Sequence, residues 1–202
     1  MPTGVALRDV RDQLFTAAER ILLRDGPSAL TSRAVTTEAG CAKGVLHRHF
    51  TDFDDFLAAL VHDRIAKINH QADTLVRNAG TATVADNVTE ALTTLFTSVA
   101  LEILSLITFR DDLRARLRAT QPAGFPLMAD ATRMIAAYLT AERDQGRLAG
   151  ESDTDLLALM LIGTTHMLFA GRHGTPPDPH EVHRVVTATL GNTTPGMTPS
   201  PP

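Results

Sequence analysis

Apolar residues recur at three- and four-residue spacing along most of the chain, and this periodicity constrains the fold more than any other feature. In the first such segment the apolar positions are Leu7, Val10, Leu14, Ala17, Ala18, Ile21 and Leu22. Helical geometry places all of these side chains on one face. No segment shows the apolar and polar alternation typical of a strand. The sequence therefore predicts an all-α fold of about nine helices.

Residues that favour helix ends divide the periodic pattern. Gly26 is expected to end the first helix, because glycine accepts the left-handed conformation that closes many helices. Thr31, Asp52 and Asp178 each precede an amphipathic segment and are expected to act as N-caps. Gly146 is expected to end the helix that begins near residue 127.

Composition and charge narrow the class of protein. The formal net charge is −4, so attraction to nucleic acid has to come from a local basic patch. The single cysteine, Cys41, excludes an internal disulfide and fits a reducing cytoplasm. No uncharged apolar stretch reaches the 18 or so residues expected of a membrane span. A protein of the cytoplasm without a membrane segment is therefore expected.

Two short helices are predicted on either side of the turn "EAGCA" at residues 38–42. A small residue, Ala39, is needed where the two helices approach each other. Gly40 is expected to adopt a positive φ angle, which glycine does without strain. The third helix is expected over residues 42–49. This arrangement is typical of a helix-turn-helix motif.

The stretch "CAKGVLHRHF" at residues 41–50 contains one lysine, one arginine and two histidines. Three interpretations are a cationic cluster for nucleic acid, a pair of metal-ligating histidines, and a solvated helix face. His47 and His49 are two residues apart and so face different ways on a helix, which excludes one shared metal ion. Leu46 and Phe50 make the stretch one half of a packed helix-turn-helix. The interpretation that remains is a helix that reads DNA.

Residues 11–60 resemble the DNA-binding domain of the TetR family of bacterial transcriptional repressors. The resemblance rests on four segments, which read "FTAAERILLRDG", "TSRAVTTEAG", "CAKGVLHRHF" and "TDFDDFL". It covers about a quarter of the chain. Two positions depart from the family pattern: His47 replaces a tyrosine, and Phe53 replaces a lysine that meets a DNA phosphate in the family.

The resemblance and the residue types predict which residues contact DNA. They are Thr31, Ser32, Arg33, Ala42, Lys43, Gly44, His47, Arg48 and His49. Residues 1–50 contain seven Lys and Arg against five Asp and Glu. The predicted DNA-binding domain is therefore weakly basic, although the protein as a whole is acidic. Polar and basic residues on the second helix are expected to meet phosphates.

The rest of the chain is predicted to bind a ligand and to dimerise. The expected domains are a DNA-binding domain at 1–52, a ligand-binding and dimerisation domain at 53–192, and a disordered tail at 193–202. The segment 156–170 is apolar almost all round, so a helix there needs burial on both sides. The resemblance implies that the last two helices pair with the same two helices of a second subunit. Such a homodimer would present two DNA-binding domains to a palindromic operator on double-stranded DNA.

An apolar pocket is expected between the helices of the second domain. The residues predicted to line it are Phe96, Ile103, Phe109, Met128, Met134, Tyr138, His166, Met167 and Phe169. Each of them could equally be ordinary core. Methionines suit an adaptable apolar site, so the expected effector is a small hydrophobic molecule.

These patterns favour a ligand-responsive dimeric repressor that its effector releases from DNA. The alternative is a helical module of the same fold that binds a small molecule or a protein and has weak or lost DNA binding. Phe53, His47 and the low net basicity support that alternative. No nucleophile and base, phosphate-binding loop or metal set can be assembled, so an enzyme, a cofactor and a metal site are not expected.

Overall fold

The computed structural model describes residues 4–120, 124–170 and 175–191. By packing, the chain divides into two compact units. The first unit contains Met1–Arg64 and Val99–Pro126, and the second contains Ile65–Ser98 and Leu127–Pro202. The predicted functional division at residue 52 remains a prediction.

The described residues form ten α-helices and one short 3₁₀ helix. These are α1 (Gly4–Asp25), the 3₁₀ helix (Pro27–Ala29), α2 (Ser32–Glu38), α3 (Val45–His49), α4 (Phe53–Arg77), α5 (Val84–Phe96), α6 (Ala100–Phe109), α7 (Asp111–Thr120), α8 (Met128–Asp144), α9 (Thr154–Ala170) and α10 (Pro179–Leu190). The all-α prediction is confirmed. The total exceeds nine because residues 84–109, a stretch long enough for one or two helices, form two.

The helix ends lie close to where local chemistry predicts them. Gly26 ends α1 with φ 79°, and Gly146 follows α8 with φ 74°. The Thr31 hydroxyl accepts a hydrogen bond from the Ala34 amide at 3.1 Å, which caps α2. Asp52 accepts from the Asp55 amide at 2.7 Å and caps α4, and Asp178 accepts from the His180 amide at 2.9 Å and caps α10. Each cap satisfies a backbone donor that has no partner inside its helix.

The third helix is shorter than predicted. Residues 42–45 form a hydrogen-bonded turn, in which the Val45 amide donates to the Ala42 carbonyl at 2.9 Å, and α3 begins only at Val45. Gly44 precedes it, and glycine is a poor helix former. The predicted disordered tail at 193–202 lies outside the described residues.

An aromatic cluster forms the centre of the first unit. Phe15, Phe50 and Phe56 are buried, with ring centroids 5.1 to 6.1 Å apart. Aromatic pairs at such separations add attraction beyond the area they bury. The cluster joins α1, the residue that ends α3, and the first turn of α4.

In the second unit, α8 packs on α9, and α10 packs on both α5 and α9. One side of α9 supplies buried residues to this core, among them Leu157, Leu161 and Phe169. Its other side exposes large apolar side chains, which are Leu156, Leu159, Met160 and Met167. The expectation that α9 is apolar all round is met, but within a single chain it is buried on one side only.

Among the described residues, no single helix is long and apolar enough to cross a membrane; α5 and α6 reach that length and composition only when counted together across the break between them.

Candidate nucleic-acid interface and ligand-binding region

The turn between α2 and α3 has the geometry that the sequence predicts. Gly40 adopts φ 65°, and its amide donates to the Thr37 carbonyl at 3.1 Å. The Cys41 amide donates to the Thr36 carbonyl at 3.0 Å, which completes the closure of α2. The Gln13 side-chain amide donates to the Ala39 carbonyl at 2.7 Å and ties the turn to α1.

Helix α3 is held by its apolar side and presents its polar side outward. Leu46 is fully buried, and Phe50, directly after the helix, is also buried. Lys43, His47 and Arg48 are exposed. A helix of five residues is too short to be stable alone, so its orientation depends on these buried contacts.

The predicted DNA-binding residues lie on one short segment of the first unit and are accessible. Exposed residues are Thr31, Arg33, Ala42, Lys43, Gly44, His47 and Arg48, and half-buried residues are Ser32 and His49. Within the described ranges, no ion pair with a carboxylate involves Arg33, Lys43 or Arg48. Their charges are therefore available to a phosphate backbone, which is the main source of affinity for DNA.

The start of α4 differs from this basic segment because it is acidic. Asp54 and Asp55 lie in its first turn, and Asp52 caps it. The hydrogen bond from the Asp55 amide lowers the pKa of Asp52 below its ordinary value of 3.8, and Arg116 adds to this effect. All three carboxylates follow α3 within six residues.

A second arginine also lies against the start of α4. The Arg110 guanidinium lies 5.6 Å from the centroid of the Phe53 ring and donates to Asp54 Oδ1 at 2.8 and 3.1 Å. Phe53 in turn stacks on Phe56, with centroids 5.7 Å apart. Sequence analysis did not find Arg110 or Arg116, because each is more than 50 residues from its carboxylate partner in the chain.

In the second unit, three predicted ligand-binding residues lie together. Phe96 stacks on Phe169 with centroids 5.5 Å apart, and its centroid is 6.1 Å from that of His166. The buried Nδ1 atom of His166 has no hydrogen-bond partner among the described residues. A buried polar atom without a partner is costly, so this atom is a natural point for a ligand to donate or accept a hydrogen bond.

The other predicted ligand-binding residues are distributed differently. Met134 and Tyr138 are buried in the second unit, where Met128 is half-buried. Met167 is on the outer side of α9 and is 72% exposed. Ile103 and Phe109 belong to the first unit, where Ile103 is buried and Phe109 is 84% exposed. Within the second unit, the exposed Met167 therefore does not lie with the buried residues of the predicted set.

A buried polar chain crosses the second unit. Asn87 Nδ2 donates to the Tyr138 hydroxyl at 2.9 Å, and that hydroxyl donates to Glu142. Glu142 also accepts from the Gly80 amide at 3.2 Å and pairs with Arg147 at 3.3 Å. Burial, followed by the bond to Glu142, raises the pKa of Tyr138 well above its ordinary value of 10.0. Sequence analysis predicted Tyr138 alone; a glutamate one turn later on the same apolar face was the available signal.

A surface groove of about 190 Å³ opens beside these hydrogen-bonded side chains. Asn87 and Met134 are among its lining residues, so it reaches both the polar chain and a predicted ligand contact. The remaining lining residues are His70, Gln71, Thr74, Leu75, Asn78, Glu90, Ala91 and Thr94. Within the described ranges, no group of three or more His, Cys, Asp or Glu side chains is arranged to hold a metal ion.

Residues 14–60 match the sequence model of the N-terminal domain of bacterial regulatory proteins of the tetR family. This match covers α2, α3 and the turn between them, which is the segment that presents the cations. The N-terminal domain belongs to the TetR family. The TetR-family description is one of regulatory proteins and not of enzymes, in agreement with the prediction that the chain is not an enzyme. No curated protein matches the chain in sequence.

Solved structures with the TetR-family architecture cover nearly the whole chain. Reduced NemR from Escherichia coli superposes with a TM-score of 0.73 at 13% identity, over 94% of this chain and 100% of that one. A TetR-family regulator from Haemophilus influenzae gives 0.62 at 18% identity, over 94% and 98%. FadR from Bacillus subtilis, solved with stearoyl-CoA, gives 0.61 at 15% identity, over 89% and 97%. At these identities the similarity shows the fold alone.

Proposed function

We propose that this chain is a dimeric repressor that a small hydrophobic molecule releases from a palindromic operator. The observation that carries the proposal is the two-sided character of α3. Leu46 anchors the helix in the core, while Lys43, His47 and Arg48 face outward with no carboxylate partner among the described residues. A short helix held in this way can enter the major groove and place its polar residues on base edges and phosphates.

Dimerisation is supported by the outer side of α9. Leu156, Leu159, Met160 and Met167 recur at helical spacing and are all exposed in the single chain. Contiguous exposed apolar surface of this kind marks an interface. A two-fold axis through this surface would bury it against the same surface of a second copy and would pair two α3 helices on a palindromic site.

Ligand response is supported by features of the second unit. Phe96 and Phe169 supply flat apolar surface beside the unpartnered Nδ1 of His166. The groove beside Asn87 offers an entry for a molecule with an apolar body and a polar end. The same fold accommodates stearoyl-CoA in Bacillus subtilis FadR. Effector binding would favour a conformation that binds the operator less tightly.

One observation favours the alternative of a binding module without DNA binding. The start of α4 carries Asp52, Asp54 and Asp55 directly after the reading helix, and negative charge there opposes a phosphate backbone. The alternative predicts that the chain binds duplex DNA weakly or not at all, even at low salt.

A DNA selection separates the two functions. The full chain is incubated with a library of random 30-base-pair duplexes and with DNA from upstream of its own gene, and bound duplexes are recovered and sequenced. A repressor enriches a palindrome, whose affinity falls steeply between 50 and 200 mM salt. Failure to enrich any sequence, with the protein folded and dimeric, would favour the binding module.

A further inference from the structure

The acidic start of α4 is paired with two arginines that come from a distant part of the chain. Arg110, between α6 and α7, donates twice to Asp54 Oδ1, at 2.8 and 3.1 Å. Arg116, on α7, donates to Asp52 Oδ2. Both pairs lie within the first unit, which also contains α3. Of the three carboxylates, only Asp55 has no arginine partner among the described residues; it accepts from the Thr51 amide at 2.9 Å.

Helix capping explains why carboxylates lie at the start of α4, but it does not explain why arginines are paired with them. Asp52 and Asp55 satisfy backbone amides at the start of α4, and negative charge is favourable at a helix N-terminus. Adding an arginine to each carboxylate contributes little to folding, because exposed ion pairs are screened by water. The Arg110 and Asp54 side chains are 36% and 23% exposed, and Arg116 and Asp52 are more exposed still. Stability therefore accounts for these pairs only in part.

The position of Arg110 suggests a further reason. Its guanidinium lies against the Phe53 ring, and Phe53 stacks on Phe56, which contacts Phe50 at the end of α3. An arginine that stacks on an aromatic ring and binds a carboxylate through one edge keeps its position while its other N–H groups remain available. The Arg110 guanidinium is thus held beside the residues that follow α3.

We propose that Arg110 and Arg116 are positioning residues of the DNA-binding surface, which they make usable by cancelling the charges of Asp54 and Asp52. This inference rests on the proposed DNA-binding function. It extends the nucleic-acid surface beyond the helix-turn-helix, to a segment more than 50 residues later in the chain. Asp52 caps α4 and Asp54 lies in its first turn, and the arginines remove the repulsion that these carboxylates would exert on a phosphate backbone.

Charge-rescue variants test this role. Operator affinity is measured by fluorescence anisotropy, on the palindrome selected by the wild-type chain, for R110Q, D54N and the double variant. Glutamine keeps much of the arginine stem and removes only the charge. Exposing one carboxylate charge in each half-site is expected to weaken binding about tenfold in R110Q. D54N should bind at least as tightly as the wild type, and the double variant should return to within about twofold of it.

Three comparisons control the experiment. R116Q with and without D52N repeats the test on the second pair, where asparagine keeps the cap. R133Q removes the same charge from the Arg133–Asp130 pair of the second unit and should leave affinity within about twofold. Thermal melts establish that each variant is folded.

The outcomes separate the inference from the proposed function. Two results would overturn the masking role, by which the arginines cancel the charges of the carboxylates, while DNA binding by the wild type stands. One is an R110Q variant that binds DNA like the wild type, and the other is a double variant that binds DNA as weakly as R110Q. A wild-type chain that selects no duplex would overturn the proposed function and this inference with it. Rescue at both pairs would establish the masking role.

Discussion

The hydroxyl of Tyr138 donates a hydrogen bond to Glu142, one turn later on α8, and both side chains are completely buried. Glu142 also accepts from the Gly80 amide, at the turn between α4 and α5. One carboxylate thus joins two parts of the second unit that lie 62 residues apart. A buried carboxylate is tolerated only when it is paired and hydrogen-bonded, so this network should be sensitive to the loss of any member.

Tyr138 should make the protein sensitive to alkaline pH. Its pKa is raised in the folded state by burial and by the bond to Glu142, so folding favours the neutral phenol. This contribution is fully present below the unfolded pKa of 10.0 and is lost as pH rises through the higher folded value. Because Tyr138 is the only tyrosine and the chain has no tryptophan, tyrosinate absorbance reports on this residue alone. We expect ionisation to coincide with unfolding, and ionisation near pH 10 in a still-folded protein would contradict the burial.

Replacing Glu142 should destabilise the second unit in proportion to the hydrogen bonds and ion pair that it makes. Glu142→Ala leaves Arg147, the Gly80 amide and the Tyr138 hydroxyl without their partner, and we expect the free energy of unfolding to fall by about 3 kcal/mol. Glu142→Gln retains an acceptor and removes the charge, so its effect should be about half as large. Urea unfolding of both variants measures the difference. Glu151→Gln, at an exposed position, is the matched control and should change stability by less than about 0.5 kcal/mol.

Lys43 should contribute to DNA affinity but not to assembly. Lys43→Ala removes an exposed cation from the turn before α3, and we expect affinity for the selected palindrome to fall about tenfold. The slope of log affinity against log salt should decrease by about 0.9 for each phosphate that the protein no longer neutralises. Lys67→Ala is a natural control, because Lys43 and Lys67 are the only lysines in the chain. Equal effects of the two changes would assign the weaker binding to net charge rather than to a direct interaction of Lys43 with DNA.

The outer side of α9 should hold the dimer together. Leu159→Glu places a charge on the exposed apolar face, and burying it at an interface would be costly. We expect light scattering to give the 21.7 kDa mass of the monomer and operator affinity to be largely abolished. Leu23→Glu is the matched control, because Leu23 and Leu159 are 60% and 59% exposed. Leu23 lies on α1, outside the proposed interface, so this change should leave the dimer intact. A Leu159→Glu variant that remains dimeric would place the interface elsewhere.

Local chemistry explains why much of the fold could be predicted from the sequence. The caps at Thr31, Asp52 and Asp178, and the positive φ of Gly40, involve atoms only a few residues apart. Propensity and capping rules act at this range. The apolar spacing also predicted the buried side of α1, where Leu14, Ala17, Ala18, Ile21 and Leu22 are buried, because that pattern is a property of the helix itself.

The interactions that the sequence did not predict are those between distant residues. Asn87 and Tyr138 are 51 residues apart, and Asp54 and Arg110 are 56 apart. No local pattern states which of several polar residues will meet across a folded unit. Phe109 illustrates the same limit: an aromatic residue was expected in a pocket, but it ends α6 at a position where its side chain is exposed. Whether the side chains at a helix end are buried or exposed depends on the elements that pack against that end, and not on the composition of the helix itself.

The aromatic contact between Phe50 and Phe56 limits how α3 can move. Helix α3 has five residues and no internal stability, and its last contact is locked into the first turn of α4. We therefore expect α3 and the first turn of α4, with Phe53 and Arg110 beside them, to reorient together. A change in the direction of this turn would redirect α3 without any part of the helix-turn-helix having to unfold.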